Sequence, residues 1–212
     1  MSAANAKSGR RKPVDLLVLA FEIIAETGWY RFNFSQLAER AELSLTDIRK
    51  IYSDKAGLLD SLNERLDQGM LAVDPEDLVG LPPKDRVFEL LMSRIEAMTP
   101  LRAGLCRLMK DARIDAKLLA MTACRIDRSL TWLQDVADLP GEKSSSLIAQ
   151  IRRQVQRRIL GAVYLQVLKT WSNDDSGDLS KTMAELDKQL RRVERLAGLT
   201  TARQSDNATS TA

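Results

Sequence analysis

Apolar residues recur at steps of three and four along almost the whole chain, and no stretch sustains the alternation of a strand. A repeat near 3.6 residues lays one apolar face along a helix, whereas a period of two lays it along a sheet, so the pattern points to an all-α architecture. Leu17, Ala20, Phe21 and Ile24 make the first such face, which stops at Thr27-Gly28. Asn33, with Gln36 three residues on, is a capping box for a short helix from about Phe34 to Ala41. After a break at Glu42-Leu43-Ser44, Ser44 caps a third helix that runs to about Tyr52. Asp54 or Ser53 then caps a fourth, carrying Leu58, Leu59, Leu62 and Leu66.

The periodicity fades between Met70 and Pro83, where Asp74-Pro75, Gly80 and Pro82-Pro83 signal turns and a boundary. Further helices are predicted over Val87 to Met98, Leu101 to Ala112, Leu119 to Ala137, Ser144 to Trp171 and Leu179 to Ala197, with Pro140-Gly141 as a break and Asp178 as a cap. The expected organisation is about nine helices. It divides into a basic arm at 1–13, a helix-turn-helix unit at 14–66, a bundle at 67–199 and a disordered Thr/Ser/Ala-rich tail at 200–212.

Composition narrows the chemistry. The 212 residues include no His, which removes the usual catalytic base and the commonest metal ligand. Two cysteines, Cys106 and Cys124, are too few for a disulfide framework and sit in apolar-periodic stretches, as buried free thiols do. No apolar run reaches the ~18 residues of a membrane span, and Met1 to Pro13 lacks the apolar core of a secretory signal. A cytoplasmic protein is the expectation. No nucleophile–base pair and no phosphate-binding glycine loop is visible, so neither catalytic residues nor a cofactor are expected.

The short helix, tight break and second short helix behind a longer one form the pattern of a helix-turn-helix unit. In such a unit the second helix enters the major groove while helix ends and basic arms hold phosphates. Its polar face offers Thr46, Arg49 and Lys50, with Lys55 just beyond; Ser35 at a helix start suits a phosphate. Lys7, Arg10, Arg11 and Lys12 form an arm that can follow the backbone or a minor groove. Over residues 1–60, nine Lys/Arg face eight Asp/Glu, so the case for DNA rests on where the charges cluster rather than on net charge.

Leu16 to Leu62 resembles the N-terminal domain of TetR-type bacterial transcriptional regulators. The resemblance lies in Ala20-Phe21-Glu22-Ile23-Ile24-Ala25-Glu26-Thr27-Gly28-Trp29, Leu37-Ala38-Glu39-Arg40-Ala41, Leu43-Ser44, and Tyr52-Ser53-Asp54-Lys55 followed by Leu58-Leu59. It implies that the segment from Ser44 and Leu45 to Tyr52 meets operator DNA, that Lys55 touches phosphate, and that the last two long helices make a homodimer. Two positions depart from the family: Glu42 stands where Gly is usual, at a cost of ~1–2 kcal/mol if the backbone there is left-handed, and Arg49 stands where Tyr is usual. The C-terminal half, through Arg86 to Arg94, Trp171 to Ser176 and Thr182 to Asp187, also resembles the TetR-fold lipid-binding accessory family of ubiquinone biosynthesis, which does not act through DNA.

Other features have ordinary readings beside functional ones. Asp174, Asp175 and Asp178 read as acids favoured before a helix start rather than as metal ligands. Arg152, Arg153, Arg157 and Arg158 make a basic stripe that is either solvated, paired across helices, or turned to an anionic membrane. Met92, Met98, Met109, Met121, Trp132 and Trp171 either fill a core or line a pocket for a small apolar ligand. The expected function is a regulator binding a double-stranded DNA operator as a homodimer, modulated by that ligand. The alternative is an isoprenoid- or lipid-binding accessory protein, for which alone a membrane would be a partner.

Overall fold

The computed structural model describes residues 15–139 and 146–209, the last fourteen of these as helix backbone only. Every regular element among them is helical: α1 (Leu16–Thr27), α2 (Phe34–Ala41), α3 (Leu45–Ile51), α4 (Lys55–Leu71), α5 (Pro75–Leu78), α6 (Pro83–Met98), α7 (Arg102–Ala112), α8 (Ala116–Val136), α9 (Leu147–Trp171) and α10 (Ser180–Thr209). A 3-10 turn, Thr99–Leu101, joins α6 to α7. The single-turn α5 falls inside the segment where periodicity fades; Asp74 caps it and Pro75 starts it, which suits a first helical position whose N–H needs no partner. The arm with Arg10, Arg11 and Lys12 and the Pro140-Gly141 break lie outside the described residues.

α1 to α3 and the start of α4 share one core, in which Phe21, Ile24, Leu37, Ile48, Leu58 and Leu59 are buried. α4 continues out of this unit to pack on α6 and α8, so one helix belongs to both halves. α1 also crosses α7, and the crossing is close: a Cβ on Gly104 would stand 2.2 Å from the Phe21 carbonyl oxygen. The α4–α6 crossing uses the same device, since a Cβ on Gly69 would lie 2.6 Å from that of Ala97. There Ser93 Oγ donates to the Gly69 carbonyl at 2.6 Å.

α9 lies against both α8 and α10, and α10 also reaches α6. The apolar seam of α10, with Leu179, Leu186 and Leu190 buried, is therefore covered within the chain. The α9–α10 turn is built on Asp174, which is wholly buried. Its Oδ2 accepts from the backbone N and Oγ of Thr182 at 2.8 and 2.6 Å, and its Oδ1 accepts from the backbone N of Ser176 at 3.1 Å and from the Ser176 hydroxyl. Burial opposes the charge, but the hydrogen bonds from Ser176 and Thr182 outweigh it and hold this carboxyl far below the usual carboxylate range. Asp178 accepts from Ser180 N at 3.1 Å, as a cap does, while Leu179 between them is left-handed at φ 57. Among the described residues no group of three or more acids or cysteines is placed to hold a metal, so Asp174 organises a helix start. α10 is carried to Thr209, past the end near Leu199 that the composition suggests; Ala202, Arg203 and Gln204 are good helix formers and no proline interrupts them.

Candidate nucleic-acid interface and internal cavity

The α2–turn–α3 unit forms from local signals. Asn33 Oδ1 accepts from Gln36 N at 3.0 Å and Gln36 Oε1 accepts from Asn33 N at 3.1 Å, closing the capping box. Glu42 is left-handed, at φ 54 and ψ 38, and Leu43 N reaches back to the Ala38 carbonyl at 3.0 Å. The position does call for the backbone that glycine adopts most cheaply, and Glu42 bears the strain. Ser44 then caps α3, its Oγ accepting from Asp47 N at 3.1 Å.

α3 rests on the domain through Ile48, its one buried residue, which is 1% exposed. Ser44, Leu45, Thr46, Arg49 and Lys50 are all exposed, and Ser35 is exposed on the first turn of α2. One feature of this face escapes the sequence reading. Asp47 sits beside it, donated to by Ser44 Oγ at 2.6 Å and ion-paired with Lys50 Nζ at 2.9 Å. The Ser44 hydrogen bond and the Lys50 charge hold the Asp47 carboxyl below its ordinary value. Among the described residues, Lys50 is thus paired with a carboxylate and Arg49 has none across from it.

Two expected contact residues turn inward. Tyr52 is buried, its ring stacked on Phe34 at 6.2 Å between centroids, so it packs in the core of this unit and not on its outer face. Burial pushes its phenol upward. Lys55 Nζ donates to the Trp29 carbonyl at 2.8 Å and lies 5.3 Å from the centre of the Trp29 ring. Burial lowers its pKa, and the half-buried side chain clamps the α1–α2 loop. Both orientations have one cause: the aromatic residues Trp29, Phe32 and Phe34 gather at this end of the unit and draw flat rings and cations onto themselves.

The same loop is tied to the bundle. Trp29 N donates to Asp111 Oδ2 at 2.8 Å, and the Tyr30 hydroxyl donates to Asp115 Oδ2 at 2.8 Å. That hydrogen bond raises the Tyr30 phenol, while the Leu118 amide and Tyr30 together lower Asp115. Arg125 of α8 reaches α4, with Nη2 2.9 Å from the Ala56 carbonyl and 2.9 Å from Asp60 Oδ2.

A cavity of about 90 Å³ opens between α4, α6, α7, α8 and α9. Leu59, Leu62, Leu66, Leu105, Leu108, Ile126 and Leu168 give it an aliphatic lining. Asn63, Arg94, Thr122, Arg125 and Tyr164 add a polar wall. Of the expected ligand residues, Met98 and Met109 line it. Met92 is buried elsewhere in the core, Met121 is half-buried beside it, and Trp171 is fully buried at the end of α9 under the Arg102 guanidinium, 5.5 Å away. Trp132 is 55% exposed, because Leu130 and Leu133 take the inner side of α8.

α9 has a second apolar side. Ile148, Ile151, Val155 and Ile159 are 74, 52, 51 and 39% exposed, while Leu160, Val163, Tyr164 and Val167 fill the interior. Of the four arginines, Arg153 and Arg157 pair with Asp135 and Asp127 of α8 at 2.5 and 2.8 Å, whereas Arg152 and Arg158 are exposed beside the apolar row.

Solved structures match this arrangement over nearly their whole length. A TetR transcriptional regulator from Nitrosomonas europaea superposes with a TM-score of 0.65 at 24% identity, covering 84% of this chain and 95% of that one. The chain has the TetR fold. The TetR-family regulator PfmR from Thermus thermophilus matches with a TM-score of 0.50 at 14% identity, over 84% of this chain and 98% of that one. A transcriptional regulator from Rhodococcus gives 0.50 at 17%, over 87% and 97%. No protein-family model and no curated protein matches the sequence. Among the described residues no helix of this TetR fold is long and apolar enough to cross a membrane.

Proposed function

We propose that the protein is a TetR-type transcriptional regulator that binds operator DNA as a homodimer through α3, under the control of a small ligand held in the bundle. The observation that carries this reading is the outward side of α3. One residue, Ile48, attaches the helix, and among the described residues nothing covers Leu45, Thr46, Arg49 and Lys50. Arg and Lys address guanine edges or phosphates, Thr does either, and Leu45 offers an apolar contact for the thymine methyl. Ser35 and the arm with Arg10, Arg11 and Lys12 would add backbone contacts that fix the register.

The apolar row of α9 supplies the dimer. A row of four aliphatic side chains left in water is a surface made for another apolar surface, and a second copy related by a two-fold axis covers it with itself. Such a dimer presents two α3 helices to a palindromic site. A ligand acts by binding better to the conformation that cannot hold DNA, since only a difference in affinity moves the equilibrium.

The accessory lipid-binding reading shares the fold, and the α9 row flanked by Arg152 and Arg158 is what favours it. Selection of bound fragments from a random duplex pool, followed by gel shift, separates the two. The regulator reading predicts enrichment of a palindrome. Failure to enrich any duplex, together with binding to anionic vesicles, would replace it with the lipid reading.

A further inference from the structure

The polar wall of the internal cavity is short of acceptors. Asn63 Oδ1 is already taken by Arg94 Nη2 at 3.0 Å and Ser129 Oγ at 3.1 Å. Asp67 receives Asn63 Nδ2 at 2.8 Å and the Arg94 guanidinium. The donors are less well served. Arg125 Nε is buried with no hydrogen-bond partner among the described residues. The Tyr164 hydroxyl accepts from Arg94 Nε at 3.2 Å but, among the described residues, gives its own proton only to the thioether of Met98, at 3.5 Å. Sulfur is a weak acceptor, and a buried guanidinium N–H left unpaired costs free energy.

The remaining lining is aliphatic, and both carboxylates that balance the arginines, Asp67 and Asp60, stand outside it. The missing chemistry is therefore an oxygen acceptor, negative in charge, attached to an apolar body. We infer that the cavity is the head-end of a site for an apolar chain ending in a carboxylate, which accepts from Arg125 Nε and the Tyr164 hydroxyl. At about 90 Å³ it takes the head and the first carbons. Met98 and Met109, unbranched and adaptable, are the parts of the wall that yield to the rest of the chain.

Arg125 also joins the site to the DNA-binding half. Its Nη2 donates to the Ala56 carbonyl in the first turn of α4, one residue from the Lys55 clamp on the α1–α2 loop. A carboxylate that draws the guanidinium inward competes with α4 for it. This inference deepens the proposed ligand control and rests on that reading for its regulatory meaning, though not for the binding itself.

Calorimetry on the full-length protein without DNA tests the site, with octanoate, 1-octanol and octylamine as probes. Hydrogen bonds to charged groups set the expected preference for octanoate over octanol at about tenfold or more, with octylamine weakest. R125M should erase the preference while octanol still binds, and R125K, which keeps a charge but lacks Nε–H, should erase most of it. Equal affinity for the three head groups, binding of none of them, or a preference that survives R125M would overturn the inference; the comparison of probes on the wild-type protein decides even if the variants do not fold. Release of a selected duplex by octanoate is measured separately. Head-group preference without any duplex binding would sink the regulator reading alone, and duplex binding without head-group preference would sink the carboxylate site alone.

Discussion

α3 and α9 each show the solvent a face that no other described residue covers, and the two faces differ in chemistry. α3 exposes Thr46, Arg49 and Lys50, with Leu45 and Ile51 beside them, around a single buried anchor. α9 exposes Ile148, Ile151, Val155 and Ile159 while burying a second apolar side against α8 and α10. A face with two cations and a hydroxyl gains most from a polyanion, where it releases counterions. An aliphatic face is unfavourable in water at ~25 cal/mol per Å² and gains from any apolar cover. The first therefore reads as a recognition surface and the second as an assembly surface, and each assignment is open to separate attack.

The largest effect should come from α9. I151D combined with V155D places two charges per subunit in the middle of the apolar row. Sedimentation should show a monomer, and the stable duplex complex should be lost because two half-sites are no longer held together. A dimer that persists would show that assembly uses another surface. Next is α3 itself. R49A with K50A removes four cations from a dimer, each worth ~1 kcal/mol or more, so duplex affinity should fall roughly a thousandfold while the dimer survives. Arg49 should carry the larger share, because Lys50 is already paired with Asp47.

Smaller effects test the supports of the two faces. Asp174 holds the turn that lays α10 on α9. D174N should lower stability at neutral pH by about 2 kcal/mol, as when a buried charged acceptor is lost. The folded-state pKa of Asp174 is depressed, so its contribution is complete above the ordinary carboxylate value of 3.8 and is lost as the pH falls through the folded-state value. The gap between wild type and D174N in denaturant melts should therefore narrow in acid. Smallest is the turn before α3. E42G should raise stability by about 1 kcal/mol through relief of the left-handed residue, with duplex preference unchanged. A loss of stability would mean that contacts of the Glu42 side chain outweigh its backbone strain.

The sequence made the α2–α3 unit legible almost to the residue, because caps are local: Asn33, Gln36 and Ser44 act on amides within three positions of themselves. Tyr52 and Lys55 were not legible, since the direction each turns is set by Trp29, Phe32 and Phe34, some twenty positions earlier in the chain. The cavity was legible only in part. Met98 and Met109 belong to it, but Met92 and Met121 have the same chemistry and do not. Its polar wall draws on α4, α6, α8 and α9, and Arg94 and Arg125 look in sequence like any solvated arginine. Helical spacing assigns Ile148, Ile151, Val155, Ile159 and Val163 to one side of α9, whereas packing buries Val163 and leaves the other four outside. A helix apolar on two sides gives no internal sign of which side its own chain will cover.

The most direct test of the central claim is a salt titration of duplex affinity for the wild-type protein and for R49A with K50A, on the fragment recovered by selection. The account predicts that log K falls linearly with log salt for the wild type, and that the variant binds far more weakly with a visibly shallower slope. Two superimposed lines, or no duplex held above background at any salt, would contradict the assignment of α3 as the helix that meets DNA.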